Sequence, residues 1–102
     1  MRVIKPSRLR EFGQQHAAAQ GPLARWLQIT RSAAWANLVD VRKTFRHADE
    51  VRVRSGRTVV VFNVKGNDFR LITAIHYNLG KVFVMLFLTH AEYDRQTWKD
   101  HL

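Results

Sequence analysis

Residues 61–94 read VFNVKGNDFRLITAIHYNLGKVFVMLFLTHAEYD, and this stretch decides the fold. It contains two mostly apolar runs of strand length, Phe69–Tyr77 and Lys81–Leu88, separated by a short turn that ends in glycine. Just before them, Thr58–Val64 is rich in β-branched residues, and Lys65–Asp68 supplies a glycine and an asparagine that tolerate positive φ. The stretch therefore predicts two successive hairpins in an antiparallel sheet.

Two further strands are predicted upstream of these hairpins. Val51–Arg54 alternates apolar and basic residues as a half-exposed strand does, and Ser55-Gly56-Arg57 would turn the chain into the next strand. Met1–Ile4 is short and alternates weakly, which suggests an edge strand. From Val51 onward the sequence thus predicts a meander of four antiparallel strands.

Helices are predicted between the first strand and the meander, because apolar residues recur there at helical spacing. The first is expected to open at Pro6-Ser7 with Ser7 as its N-cap, and the second to begin at Gly21-Pro22. A third, shorter helix would follow Ser32 as its N-cap, with these side chains facing inward: Trp35, Leu38, Val39 and Phe45. The predicted fold class is α+β, with an N-terminal strand and two to three helices packed on one face of an antiparallel sheet.

The composition is that of a folded domain. With 102 residues, 46% of them hydrophobic, the chain can bury a modest core, and we expect one domain over residues 1–102. No apolar run approaches the ~18 residues that span a bilayer, and no signal peptide is visible. Without cysteine the chain has no disulfide and no thiolate zinc site. These absences favour a cytoplasmic protein that does not contact membranes.

The charge is strongly positive, with 17 lysines and arginines against 8 acidic residues and a net charge of +9. The basic residues are dispersed from Arg2 to Lys99, which indicates a basic surface rather than a basic tail. Nucleic acid is the leading class of partner, because lysine and arginine neutralise phosphates and release counterions. A cationic surface that only aids solubility is the simpler alternative.

A compact polar cluster ends the quoted stretch. Its members are Thr89, His90, Glu92, Tyr93 and Asp94. The spacing of Thr89 and Glu92 is that of a capping box, so a helical turn should begin at His90. A histidine, a phenol and two carboxylates this close together form a candidate chemical site.

Arg70 is the unusual residue of the strand before this cluster, since it places a charge in an apolar run. Both sides of that strand are mostly apolar, so alternation alone does not show which side the helices cover. A charge in this position is costly unless it is paired or faces a solvated groove. The alternative to a functional role is a structural ion pair with Asp68, Glu92 or Asp94.

Several segments resemble the HigB family of bacterial toxins. They are Phe62-Asn63-Val64, Gly66-Asn67, Phe69-Arg70-Leu71-Ile72, Ala74-Ile75-His76-Tyr77, THAEYD at 89–94 and Trp98-Lys99. The initial MRVI, Pro22–Trp26 and the stretch from Asn37 to Phe45 are similar as well, so the resemblance covers nearly the whole chain. The combination VFN-x₂-GN-x₂-RL with THAEYD is specific, whereas any one segment alone would be weak.

The resemblance implies a RelE-like fold and an mRNA interferase that cuts messenger RNA on the translating ribosome. It also implies a HigA-type antitoxin with a helix-turn-helix, which neutralises the toxin and through which alone operator DNA would be contacted. The sequence departs from the family at Met85, where members often carry an arginine, and at Lys65-Gly66, where they often have Gly-Gly. If that arginine binds phosphate, Lys65 or Lys81 would have to replace it.

The expected chemistry is cleavage by the substrate's own 2′-hydroxyl, helped by a base, an acid and a cation. His90 is the expected acid or base, because histidine titrates near neutral pH. Arg70 is expected to stabilise the charge on phosphorus, since its planar fork suits phosphate oxygens. Tyr93 could orient or stack a base, or assist proton transfer.

The expected RNA- and phosphate-binding residues are Lys65, Asn67, Arg54, Arg57 and Lys81. No cofactor is expected. No metal is expected either, because His16, His47 and His101 lack the spacing of metal ligands with any partner.

Structural roles are the alternative for each candidate. His90 would satisfy a helix end, Tyr93 would be a core phenol, and Glu92 is more readily a capping residue than a base. Further core positions are expected at His76, Trp26 and Trp35. For the whole protein the alternatives are a non-catalytic RNA- or ribosome-binding module, and an interaction protein that acts mainly as a corepressor with its antitoxin.

Overall fold

The computed structural model describes residues 1–102 as a five-stranded sheet with helices on it. The strands are β1 (Arg2–Ile4), β2 (Asp49–Arg52), β3 (Thr58–Val64), β4 (Phe69–His76) and β5 (Lys81–Thr89). The helices are α1 (Ser7–Gln15), α2 (Gln20–Ser32), α3 (Leu38–Thr44) and α4 (His90–Asp94). Single 3₁₀ turns lie at Ala17–Ala19, Tyr77–Leu79 and Thr97–His101. The predicted α+β class is confirmed.

The sheet has the order β1-β5-β4-β3-β2, and β2 to β5 form the predicted antiparallel meander. The N-terminal strand departs from the prediction of a purely antiparallel sheet, because β1 pairs parallel to β5, with Val3 opposite Val82. A parallel neighbour requires a long connection, and here the helices α1 to α3 and the strands β2 to β4 all lie between β1 and β5 in the chain. The sheet is therefore mixed.

Helix boundaries differ from the predicted ones. Ser7 is the first residue of α1 and does not cap it with its side chain. The second helix begins at Gln20, so Pro22 lies within its first turn, where a backbone N–H has no helical partner to lose. Ser32 ends α2, and Asn37 is the cap of α3 instead, because its Oδ1 accepts from the Asp40 N–H at 3.0 Å.

One face of the sheet carries the main core, and α1, α2 and α3 pack on it. Leu23, Trp26 and Trp35 are buried there against Phe62, whose ring meets that of Trp26 edge to face at 5.4 Å. The predicted core positions Trp26 and Trp35 are thus confirmed. Val39, by contrast, is 63% exposed and not inward-facing, because α3 turns a neighbouring side toward the core.

The opposite face of the sheet, called here the second face, is covered only in part. A smaller cluster of Val53, Val59, Val61 and Ile72 is closed there by Trp98 of the last 3₁₀ turn. Since Ile72 belongs to this cluster and Leu71 to the main core, the alternation of β4 turns Arg70 and His76 toward the second face. His76 is exposed at the end of β4 and is not the core residue that was expected. No helix in the structure is long and apolar enough to span a bilayer.

Candidate active site at the turn between β3 and β4

The start of α4 is fixed by a reciprocal cap. The Glu92 N–H donates to Thr89 Oγ1 at 3.2 Å, and the Thr89 N–H donates to Glu92 Oε1 at 2.8 Å. The predicted capping box is confirmed, and Glu92 is occupied as a capping residue. Because the box ends β5 abruptly, His90 is placed next to the turn between β3 and β4, where its N–H donates to Asp68 O at 2.9 Å.

The imidazole of His90 lies between two oxygen acceptors. Its Nδ1 is 3.0 Å from the carbonyl oxygen of Asn67, and its Nε2 is 2.9 Å from Oδ2 of Asp94. A protonated ring nitrogen can donate to either of these oxygens, and only the doubly protonated ring would donate to both. Because 47% of the His90 side chain is exposed, a proton on this ring remains accessible to a substrate.

Arg70 lies beside this histidine and is only 8% exposed. Its Nη1 donates to the carbonyl oxygens of Asn67 at 2.9 Å and of Phe69 at 3.1 Å, and its Nη2 donates to Asn67 Oδ1 at 2.8 Å. The same Nη2 is 3.3 Å from His90 Nδ1. Arg70 therefore ties the turn to α4 through neutral acceptors and forms no ion pair with Asp68, Glu92 or Asp94.

The turn itself, Lys65–Asp68, is shaped by two residues with positive φ. Gly66 has φ +62°, as expected for glycine, and Lys65 also lies in the left-handed region at φ +54°. Lys65 Nζ is 3.5 Å from Asp68 Oδ2, so the lysine is held near the site but half exposed. Asn67 serves both Arg70 and His90 through one carbonyl oxygen, which makes the turn the common support of the site.

Tyr93 covers the guanidinium of Arg70, with the Arg70 Cζ atom 5.5 Å from the centre of its ring. The Tyr93 ring also stacks on Trp98 at 5.3 Å, and the Trp98 Nε1–H donates to the Tyr93 carbonyl at 3.0 Å. Burial raises the pKa of Tyr93 above 10.0, and the charges of Asp49 and then Asp94 add to this, although Arg70 lowers it. The phenol is therefore protonated at neutral pH, as a donor and not as a base.

The residues predicted to bind RNA fall into two groups. Lys65 and Asn67 belong to the site just described. Arg54, Arg57 and Lys81 lie at the opposite end of the sheet, because they precede β3 or open β5. Arg54 is paired there with Asp100 at 3.7 Å, and Lys81 lies opposite His76 in the ladder.

Met85 occupies a bulge in β5. Ile72 pairs with Leu86 and Thr73 with Val84, so Met85 is the extra residue between them. Its side chain is partly buried on the second face, next to the cluster around Trp98. The position at which the resemblance suggested an arginine is thus an irregular point of the sheet, between the two groups of predicted RNA-binding residues.

Sequence reasoning placed Asp94 in the polar cluster but did not pair it with His90, and it gave Trp98 no role. The signal for Asp94 is its spacing of four residues from His90, which puts both on one side of a helix. Trp98 left no comparable signal, because its contact with Tyr93 depends on how the last 3₁₀ turn folds back onto the sheet. The structure gathers no group of three or more His, Cys, Asp or Glu side chains that could hold a metal ion.

Comparison with protein families gives one match. Residues 19–96 fit the model of the HigB_toxin family, described as the RelE-like toxic component of a toxin-antitoxin system. The matched range contains every residue of the site except Trp98. No curated protein matches the chain significantly.

Proposed function

The chain belongs to the HigB family of RelE-like toxins, and from this premise we propose that it is a ribosome-dependent endoribonuclease that cleaves translated messenger RNA. Membership of the family implies an antitoxin partner. In the proposal this partner is a HigA-type protein with a helix-turn-helix, the toxin acts in the cytoplasm, and operator DNA is contacted only through the antitoxin.

The observation that carries the proposal is the arrangement of His90 between Asn67 O and Asp94 Oδ2. In the proposed reaction the 2′-oxygen of RNA attacks the adjacent phosphorus while the bond to the 5′-oxygen breaks. His90 donates the proton that the departing 5′-oxygen needs, and Asp94 orients the ring and stabilises its charge. The products are a 2′,3′-cyclic phosphate and a 5′-hydroxyl.

The other side chains support this step without acting as bases. Tyr93 stays protonated and Glu92 is bound in the cap, so the proton of the 2′-hydroxyl passes to water in this proposal. Arg70 holds His90 and the turn, and its buried charge adds to the positive potential that the phosphorus centre meets. Tyr93 is partly exposed, so a base could also contact its side chain.

The proposed role of the ribosome rests on the membership of the HigB family and on the positive net charge of the chain. A net charge of +9 favours docking on ribosomal RNA, and the ribosome would hold the messenger in line for attack. This alignment matters because the site itself offers one acid and no second proton-transfer group. No resident metal is part of the proposed reaction.

The test compares purified toxin on naked messenger and on programmed ribosomes, with transcript ends mapped and a chelator added to the protein beforehand. The proposal expects cuts only with ribosomes, cyclic phosphate ends, and no cuts with the His90→Ala variant. Full binding and growth arrest by His90→Ala would favour a non-catalytic RNA- or ribosome-binding module. Repression of the operon as the sole effect of the wild-type chain would favour a corepressor.

A further inference from the structure

A groove of about 320 Å³ lies on the second face of the sheet, away from His90. Its floor is formed by Ala74, Phe83 and Met85 of β4 and β5. Lys5 and Arg8 line one side, and Arg57 and His76 also line the groove, together with the apolar Ile4 and Val84. A volume of this size suits one small ligand or one nucleotide.

The groove is positively charged without compensation. Lysine, arginine and histidine supply every ionisable side chain of its lining, and no carboxylate takes part. Elsewhere the chain pairs Arg42, Lys43, Arg54 and Lys65 with aspartates. Lys5, Arg8, Arg57 and His76 form no ion pair. A concave surface with unpaired cations and low-dielectric walls concentrates an anionic ligand.

Arg8 is held in position by the protein. Its Nη1 donates to the carbonyl oxygens of Val84 at 3.0 Å and Met85 at 3.2 Å, where β5 runs past the end of β1. Its Nε and Nη2 have no protein partner, so they remain available to an anion. Lys5 takes the left-handed conformation at φ +58° as the chain turns from β1 into α1, and this turn brings both residues to the same wall.

The groove also offers an aromatic surface. The rings of His76 and Phe83 meet edge to face at 5.0 Å and 66°, and both side chains are partly or fully open to solvent. Bases of single-stranded RNA stack on such rings without regard to sequence. Cations beside an aromatic surface are therefore the combination that suits a nucleotide rather than a free phosphate.

The groove and the candidate active site share one face of the sheet. Ala74 follows Arg70 by four residues in β4 and points the same way, so the two sites are separated by about 13 Å along the strand. A single RNA strand that passes His90 can continue over Met85 into the groove.

We propose that this groove is a second nucleotide site for the RNA strand that is cut at His90, with Arg8, Lys5 and Arg57 on its phosphate and the rings of Phe83 and His76 beside its base. The inference rests on the proposed RNA substrate. It assigns to the groove the binding of a nucleotide some distance from the broken bond, and not a part in the chemistry.

The test measures binding of fluorescent single-stranded RNA to the non-cleaving His90→Ala protein. The groove variant adds Lys5→Gln and Arg57→Gln, both at exposed residues, and the control adds Arg10→Gln and Arg25→Gln on the helical side, which removes the same charge. For a hexanucleotide we expect the groove variant to lose affinity on the order of tenfold, and the salt slope to fall by about 0.7 per lost phosphate contact. A dinucleotide cannot span both sites, so the parent should bind it more weakly than the hexanucleotide.

Equal losses in the groove variant and the control, or no binding of the hexanucleotide to the parent, would overturn the inference. So would weakening of antitoxin binding alone, which would make the groove a protein-docking surface. A failure of the groove assignment can be distinguished from a failure of the cleavage proposal. If the groove variant loses RNA affinity but His90→Ala does not impair cleavage in the otherwise wild-type chain, the catalytic proposal fails and the groove assignment stands.

Discussion

Nε2 of His90 lies 2.9 Å from Oδ2 of Asp94, four residues further along α4. The contact joins the candidate acid to a carboxylate that is itself largely exposed, and it forms within one helical turn whose start is fixed by the Thr89–Glu92 cap. The geometry of the pair is thus set locally, while His90 is joined to the turn between β3 and β4 by its contacts with Asn67 and Asp68.

Replacement of His90 by alanine should abolish cleavage without unfolding the protein. The side chain is half exposed, so little packing is lost, whereas removal of an acid from a reaction of this kind costs about 10²–10⁴-fold in rate. The measurement is the cleavage rate on programmed ribosomes together with a thermal melt. His47→Ala, at an exposed position between α3 and β2, is the control, and retention of full activity by His90→Ala would remove His90 from the site.

The Asp94→Asn variant should cleave more slowly by about tenfold or more, equivalent to ~1.4 kcal/mol in the barrier. The amide keeps the shape of the side chain but no longer stabilises a protonated imidazole. Glu11→Gln, an exposed carboxylate-to-amide change on α1, controls for the altered net charge. Equal rates for Asp94→Asn and wild type would mean that the contact is incidental.

The Arg70→Lys variant should be less stable as well as less active. The single Nζ of lysine cannot replace both Nη1, which serves the two carbonyls, and Nη2, which serves Asn67 Oδ1, and a hydrogen bond to a charged group contributes about 1.5–3 kcal/mol. Urea unfolding measures the loss, with Arg46→Lys at an exposed position as the control. This expectation differs from a purely electrostatic role for Arg70, under which a lysine would preserve stability.

The sequence predicted those parts of the fold whose signals are local. The β-branched run of β3, the two hairpins and the Thr89–Glu92 spacing each determine a structure within a few residues, and all appear. The parallel pairing of β1 was not predictable, because a short strand carries no signature of its partner's direction. Ser32 and Asn37 are both good N-caps, and the choice between them depends on where α2 ends.

The site was predictable in its members but not in its connections. His90, Arg70 and Tyr93 do lie together, as their sequence placement suggested. The partners of Arg70 are mostly backbone carbonyls, which every residue possesses, so no sequence pattern marks them. The separation of Arg57 and Lys81 from the site follows from strand direction, which places them at the other end of the sheet.

Stability should fall as the pH rises above about 10, because of the two tyrosines whose pKa values are raised. Burial is the main cause for both, with Glu50 adding to it at Tyr77 and Asp49 at Tyr93. The folded state therefore holds these protons more tightly than the unfolded state. The resulting stability is complete below pH 10.0 and is lost as the pH rises through the folded pKa values.

The measurement is the free energy of unfolding between pH ~8 and ~11. Tyr93→Phe should flatten its decline while retaining the stack on Trp98. An unchanged slope in the Tyr93→Phe variant would contradict the assigned cause.

Two buried threonines should respond in opposite ways to substitution by valine. The Thr73 hydroxyl donates to Val60 O at 2.9 Å, whereas the Thr30 hydroxyl has no hydrogen-bond partner, and both residues are 0% exposed. Thr73→Val should lose about 1 kcal/mol, and Thr30→Val should be neutral or stabilising, because valine removes an unsatisfied group. Chemical denaturation of the two variants tests the difference, and each serves as the other's control.

Because β1 pairs with β5, the sheet can be completed only late in the synthesis of the chain. Synthesis produces Val3 near the beginning and its ladder partner Val82 only after the helices and the first three strands of the meander. Until β5 has been synthesised, one edge of β4 is unpaired, and the Asn67 carbonyl oxygen lacks its contact with the His90 ring. The candidate site is therefore among the last features to form, so a nascent chain carries no assembled site while most of its length is still being made.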